Sequence, residues 1–162
     1  MFDYRWRKSL ERIICITFNS NQMKKKWTTE ELKERSWKFD DEAFNKWNFD
    51  IVDELVHPDF INHDPLPGMD PTREGIKNYL PGFKAAFPDL KFVNDSIIAE
   101  GDIVAHRVTW YGTHSGEYLG VPATGKKISF RTHDFQRWED GLLIERWSTA
   151  DVEQMLIDLG LK

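Results

Sequence analysis

The 162-residue sequence predicts an α+β domain, on three observations. Helical apolar spacing fills the first half, strand-like alternation fills most of the second, and a short capped helical stretch closes the chain. The expected architecture is a curved antiparallel sheet wrapped over about three helices, with one further short helix at the end. The first 22 residues, "MFDYRWRKSLERIICITFNSNQ", precede these patterns and are expected to be an extension that is mobile or dispensable for folding, with one domain from Met23 onward. Thr28 and Glu31 have capping-box spacing, with Trp27 and Leu32 as the hydrophobic staple, so a helix starts there. Leu32, Ser36, Phe39, Ala43 and Trp47 lie near one face of it.

A second helix is expected over residues 50–56, ended by Pro58, with His57 as its C-terminal cap. "DFINHDP" follows as a short extended piece. Asp70 and Pro71 then supply an N-cap and a first-turn proline for a third helix carrying Ile76, Tyr79, Leu80, Phe83 and Phe87, which Pro81 should kink or split. Strands are expected at about 91–99, 102–111, 127–138 and 142–149, with "EDG" (139–141) turning the last pair. Asp151 caps the final helix, Gln154 stands at its N3 position and Gly160 ends it.

Composition narrows the function. A hydrophobic fraction of 40% with 14% aromatic residues supports a sizeable core or pocket, and a net charge of −5 argues against nucleic acid and against an anionic membrane as partners. No apolar run is long enough to cross a bilayer. Cys15 is the only cysteine, which excludes an internal disulfide and fits a reducing, cytoplasmic setting. The five histidines have no close metal-ligand spacing, so a metal is not expected. "GVPATGKK" (120–127) matches a phosphate-binding loop up to its last position, where Lys127 replaces the hydroxyl residue; the following "ISFRTHDFQRW" reads as a strand, so the stretch is expected to be a strand connection.

"VHPDFINHDP", "AAFPDL", "AEGDIVAHRVTWYGTHSGEYLGVPATGKKISF", "RWEDGLLIERWSTAD" and "LGLK" together resemble the SnoaL-like polyketide cyclase (ester cyclase) family over about residues 38–161. The resemblance implies a nuclear transport factor 2-like cone with a deep pocket for a hydrophobic small molecule, and a convex face that forms a homodimer. It also implies an intramolecular aldol cyclisation without metal or cofactor, using a carboxylate as acid/base and polar groups to hold the enolate. An apolar pocket suits this, since burial raises a carboxylate's pKa and donors stabilise oxyanion charge. The family's acid/base Asp falls here on Ser148, its pocket His on Asp134 and a polar Gln on Thr132; its Asn is retained as Asn62.

The expected catalytic set is therefore Asp134, Asn62, Ser148 and Arg146, with Thr132, Phe130, Gln136, His63 and Arg107 contacting the substrate. Alternation puts Phe130, Thr132, Asp134 and Gln136 on one strand face. Asp134 as acid/base competes with an ion-paired Asp134, to Arg146 or Arg107. His114 is expected to order its own loop, and Trp110, Trp138 and Trp147 could line a pocket, a core or a dimer interface. The cyclase or isomerase reading stands beside a noncatalytic small-molecule-binding protein and a dimerisation module.

Overall fold

A computed structural model describes residues 25–160; the extension expected over residues 1–22 lies outside the described residues. The first helix, α1 (Thr29–Asp40), begins as its capping box requires. The Thr28 hydroxyl accepts from the Glu31 N–H at 3.2 Å, and the Glu31 carboxylate accepts from the Thr28 N–H at 2.9 Å. Next to the box, Trp27 lies against Gly141, and Arg35 both stacks on the Trp27 ring at 4.6 Å and donates to the Gly141 carbonyl at 2.6 Å. The start of α1 is thus tied to a distant strand turn.

Beyond Asp40 the helix widens into a single π-helical turn, Asp41–Asn45, in which the Lys46 N–H reaches the Asp41 carbonyl. This keeps Ala43 and Phe44 on the buried side with Phe39 and Asp40. A short α2 (Ile51–Leu55) passes directly into β1 (Val56–Asn62). The second helix therefore ends before Pro58, and His57 and Pro58 belong to the strand, where His57 Nδ1 accepts from the Asp59 N–H at 3.1 Å. Pro58 is tolerated because it lies on an edge strand, within a register shift.

Helix α3 (Arg73–Ala86) starts two residues later than Asp70–Pro71 suggests. Thr72 is the N-cap, its hydroxyl accepting from the Gly75 N–H at 3.2 Å, while Asp70 accepts from the Thr72 N–H at 3.0 Å and orients the cap. Asp70 acts one step removed. The helix also runs through Pro81 without splitting.

The remaining elements are β2 (Lys91–Glu100), β3 (Ile103–Thr113), β4 (Lys127–Glu139), β5 (Leu142–Ala150) and α4 (Val152–Leu159). Asp140 (φ 50°) and Gly141 (φ 80°) form the β4–β5 turn, in the left-handed region that suits a two-residue hairpin. Asp151 caps α4, accepting from the Gln154 N–H at 3.2 Å, and Gly160 (φ 78°) ends it. The single sheet has the order β1-β5-β4-β3-β2. It is mixed rather than wholly antiparallel, because β1 pairs parallel with β5 at the edge. "DFINHDP" thus contributes to a full strand.

Edge strand β2 is clasped where it begins. Asn45 accepts from the Phe92 N–H at 2.8 Å and donates to the Phe92 carbonyl at 3.0 Å, as a neighbouring strand would. The "GVPATGKK" loop leads directly into β4, so no helix follows it. His114, fully buried, hydrogen-bonds Thr124 Oγ1 at 3.0 Å and packs on Phe87, and its backbone pairs with Lys126 and Gly125 across the loop. As expected, it orders the connection.

The core lies between the helices and the inner sheet face. Its centre is aromatic: Trp110 packs edge-on against Phe92 at 4.8 Å and Phe44 at 4.9 Å, and stacks on Phe130 at 5.5 Å. Among the described residues, no helix is long and apolar enough to cross a membrane.

Candidate functional site

Strand alternation brings polar side chains onto the inner face. In β4 the residues Ile128, Phe130, Thr132, Asp134, Gln136 and Trp138 are buried while those between them face outward. The pairing registers align His106, Asp134 and Ser148 in one row across β3, β4 and β5, and Val104, Gln136 and Arg146 in the next. The parallel edge pairs Asn62 with Arg146. From the helical layer α1 adds Ser36 and Asp40. Sheet register and one helix face thus gather a buried polar cluster.

Asp134 is 1% exposed and fully engaged. Its Oδ1 accepts from Arg146 Nη2 at 2.6 Å, and its Oδ2 accepts from the Thr132 hydroxyl at 2.8 Å, which in turn accepts from Trp110 Nε1 at 3.1 Å. Burial alone would raise its pKa; Arg146, with the Ser148 and Thr132 hydroxyls, outweighs burial and holds it below the usual carboxylate range. Asp134 is therefore an ionised carboxylate in a dry environment. Arg146 stays charged beside it, its pKa raised against burial chiefly by Asp134 and then by Asp40.

Asp40 has the opposite character. It is 3% exposed at the α-to-π junction, and burial, reinforced by the negative Asp134, raises its pKa well above the ordinary value despite Arg146 and a hydrogen bond from Gln136. Between the two carboxyl groups stands His106. Its Nδ1 is 3.3 Å from Asp40 Oδ2, its Nε2 is 3.9 Å from Asp134 Oδ2 and 3.2 Å from Gln136 Nε2, and burial pushes its pKa down to about 4. The cluster thus holds a neutral acid, a neutral imidazole and an ionised carboxylate within one buried group.

Of the residues expected from the sequence, Asp134, Thr132, Phe130, Gln136, Arg146 and Ser148 come together on the inner face. Asn62 is buried beside them; its Oδ1 accepts from the Asp64 N–H at 3.3 Å, and Asp64 accepts from the Ser148 N–H at 3.0 Å. Arg107 and His63 do not join. Each follows an inward residue, so alternation turns it outward: Arg107 is near Asp95 at 3.7 Å, and His63 stacks on Trp147 at 4.7 Å. Trp110 and Trp138 are core, and Trp147 is on the outer face.

Asp40 and His106 were not among the expected site residues. A signal was available: Asp40 is four residues after Ser36 on the buried stripe of α1, and His106 alternates with Val104 and Val108. A polar residue inside an apolar period marks such positions. Among the described residues, no group of three or more His, Cys, Asp or Glu side chains is arranged to hold a metal ion.

Two openings lie beside the helices. A groove of about 1000 Å³ runs between α1 and β2, with Trp37, Phe92 and Ile97 in its wall, and a cleft of about 330 Å³ lies between α3 and the 117–119 turn, above a Tyr79–Tyr118 hydroxyl pair at 2.8 Å. Neither is lined by a side chain of the polar cluster. Phe92 and Phe83 stand between these openings and Trp110.

A mixed sheet over helices, with a polar cluster buried on its inner face, defines an α+β cone of the nuclear transport factor 2-like kind. The chain belongs to the SnoaL-like polyketide cyclase family, whose pattern matches residues 35–159. It is 28% identical over 120 residues to the nogalonic acid methyl ester cyclase of Streptomyces nogalater, covering 73% of this chain and 90% of the relative. To the aklanonic acid methyl ester cyclase DnrD of Streptomyces peucetius it is 29% identical over 103 residues, covering 62% and 71%. Among solved structures, TsrD from Streptomyces laurentii superposes with a TM-score of 0.75 at 25% identity, covering 84% of this chain and 99% of TsrD. IdmH from Streptomyces antibioticus superposes at 0.66 with 33% identity, covering 79% and 98%.

Proposed function

We propose that this chain is a cofactor-independent cyclase or isomerase that acts on a hydrophobic carbonyl compound, polyketide-like or ester, by general acid/base catalysis. The observation that carries this reading is the buried, ionised Asp134 ringed by Arg146, Thr132 and Ser148. In this mechanism Asp134 takes the proton from the carbon next to a carbonyl, and Arg146 and Ser148 donate to the enolate oxygen. The enolate carbon attacks a second carbonyl of the same molecule, and the new alkoxide takes the proton from Asp134. Asn62 holds the segment after β1 against Ser148 through Asp64, while Phe130, Thr132 and Gln136 form the wall. Substrate reaches them by displacing rings of the aromatic layer, Phe83 or Phe92. The two relatives named as methyl ester cyclases support the choice of an ester-bearing substrate.

The test is deuterium incorporation from D₂O into β-ketoesters and polyketide-like esters, comparing wild type with Asp134→Asn. Exchange that survives the substitution unchanged would sink the assignment. A noncatalytic binding protein is the second reading, favoured by Ser148 at the family's acid/base position and by the complete pairing of Asp134. Thermal stabilisation by the same esters with no exchange would support it.

The outer face carries Ile98, Tyr111, Phe135 and Trp147, and Ile98 is 67% exposed. This apolar patch supports a homodimer through the convex face. Phe135→Glu should then halve the mass seen by light scattering; a monomeric wild type would exclude the dimer. The single cysteine fits a cytoplasmic protein.

A further inference from the structure

Asn62 is 2% exposed, yet its amide nitrogen is matched to a poor acceptor. Its Oδ1 accepts from the Asp64 N–H at 3.3 Å, which fixes the amide so that Nδ2 is the atom donating to the Met69 sulfur at 3.8 Å. Among the described residues that thioether is the one hydrogen-bond partner of Nδ2. A thioether accepts only weakly, so a buried amide N–H resting on it gains when an oxygen takes the sulfur's place.

Met69 sits at the tip of the loop that joins β1 to α3. The base of this loop is pinned, by the Asn62 N–H on the Pro71 carbonyl at 2.7 Å and by the Ile61–Thr72 bridge. The tip is held far less. Residues 66–69 close a turn on themselves, Met69 N–H to the Leu66 carbonyl at 2.9 Å, and among the described residues their one hydrogen bond to the rest of the protein is the sulfur contact. Pro67, Gly68 and Asp70 line the cleft beside α3, while the Met69 side chain, 8% exposed, lies on the Asn62 amide behind them. Met69 thus divides the cleft from the polar cluster. The other walls of the cleft are fastened to each other, by the Tyr79–Tyr118 hydroxyl pair and by the Ser115 and Gly116 N–H groups on the Ala86 carbonyl.

We propose that Met69 is the plug of the site: its sulfur holds the place of a substrate carbonyl oxygen, which displaces it from Asn62 Nδ2 when the 66–69 tip swings out. This rests on the carbonyl-substrate reading above and chooses between its two ways in. Substrate enters by the cleft beside α3 and Phe83, not by the groove behind Phe92. Register pairs Asn62 with Arg146, so two donors on adjacent strands meet the two oxygens of a β-ketoester. Arg146 takes the enolate oxygen and Asn62 the ester carbonyl. Gly68, at φ 84°, and the unbranched thioether give the tip the freedom to move. The plug also selects, because a hydrocarbon of the same shape has no oxygen to replace the sulfur.

Ethyl dimethyl(naphthoyl)acetate, a β-ketoester with no proton to lose between its carbonyls, binds without reacting and is the probe. In NMR of protein labelled at asparagine nitrogen and methionine methyl groups, the free protein should show a cross-peak between the Asn62 amide and the Met69 methyl. Saturating probe should abolish it and move the amide proton downfield. Calorimetry gives the second readout. Met69→Leu keeps the volume but not the acceptor, and Met69→Ala removes the plug. Both should bind the probe about tenfold more tightly than wild type while melting lower, since affinity is discounted by the closed fraction. A Met69 that only packs would lose affinity along with stability. Probe bound with the cross-peak intact, or no tighter in either variant, overturns the plug and leaves the carbonyl-substrate reading standing. No binding to wild type or to either variant overturns that reading, and the plug with it.

Discussion

Replacing Asp40 by Asn should make the protein more stable relative to wild type as the pH rises. In the folded chain burial keeps the Asp40 proton bound well above the ordinary range, whereas the unfolded chain releases it above 3.8. Over that interval the folded state holds one more proton, so wild-type stability falls by about 1.4 kcal/mol for each pH unit. His106 works in the other direction. Its ordinary value is 6.5 and burial pushes it down to about 4, so the unfolded chain binds the extra proton and stability rises between those values, by about 3 kcal/mol in all. In wild type the two slopes offset each other below pH 6.5, and above it only the loss from Asp40 remains. Asp40→Asn removes that loss and uncovers the gain from His106. Urea unfolding of both proteins at pH 5, 6, 7 and 8 measures the difference. The advantage of the variant should grow by about 1.4 kcal/mol per pH unit until Asp40 itself ionises. A difference constant across the range would mean that Asp40 is ionised in the folded protein, and the reasoning would be wrong.

Arg146→Met should destabilise by about 3–5 kcal/mol, because it leaves Asp134 ionised and buried without its cation, and adding Asp134→Leu should recover most of the loss in urea unfolding. Gly141→Ala should lower stability by about 1–3 kcal/mol, because the backbone there has φ 80° and a Cβ would sit 2.3 Å from the Trp27 ring. Trp27→Ala should relieve only part of this in thermal unfolding. His114→Ala should speed amide exchange at Ser115 and Gly125 while leaving β4 protected, since His114 ties the 114–126 connection together; uniform exchange would deny it that role.

What the sequence made legible was what one-dimensional periodicity and capping encode. The four later strands were legible nearly to the residue because β-branched and aromatic alternation is long and bounded by turns, and Asp140–Gly141 sits between two such runs. The capping box at Thr28 was read directly because both its bonds join residues three apart. Thr72 displaced Asp70 as cap because adjacent cap-forming side chains compete, and only the backbone decides which oxygen meets Gly75. The parallel pairing of β1 was hidden because it joins residue 62 to residue 146, and no local pattern encodes a partner that distant. The same limit explains the site. Alternation puts Asp134, Thr132 and Gln136 on one strand face and the family resemblance picked that face as the inner one, but Asp40 meets His106 only through packing of α1 on the sheet. The π-helical turn that follows Asp40 has no local sequence signature at all.

The clasp of Asn45 on Phe92 has a consequence for how this protein can associate with itself. Strands at the margins of a sheet invite other chains to add on, one after another, into open-ended stacks. Here one margin is occupied at its start by a side-chain amide and bent at Asp95, and the other contains Pro58 and a register shift. The association proposed above, through the outer face, would instead close at two copies about a twofold axis and leave these margins out of the contact.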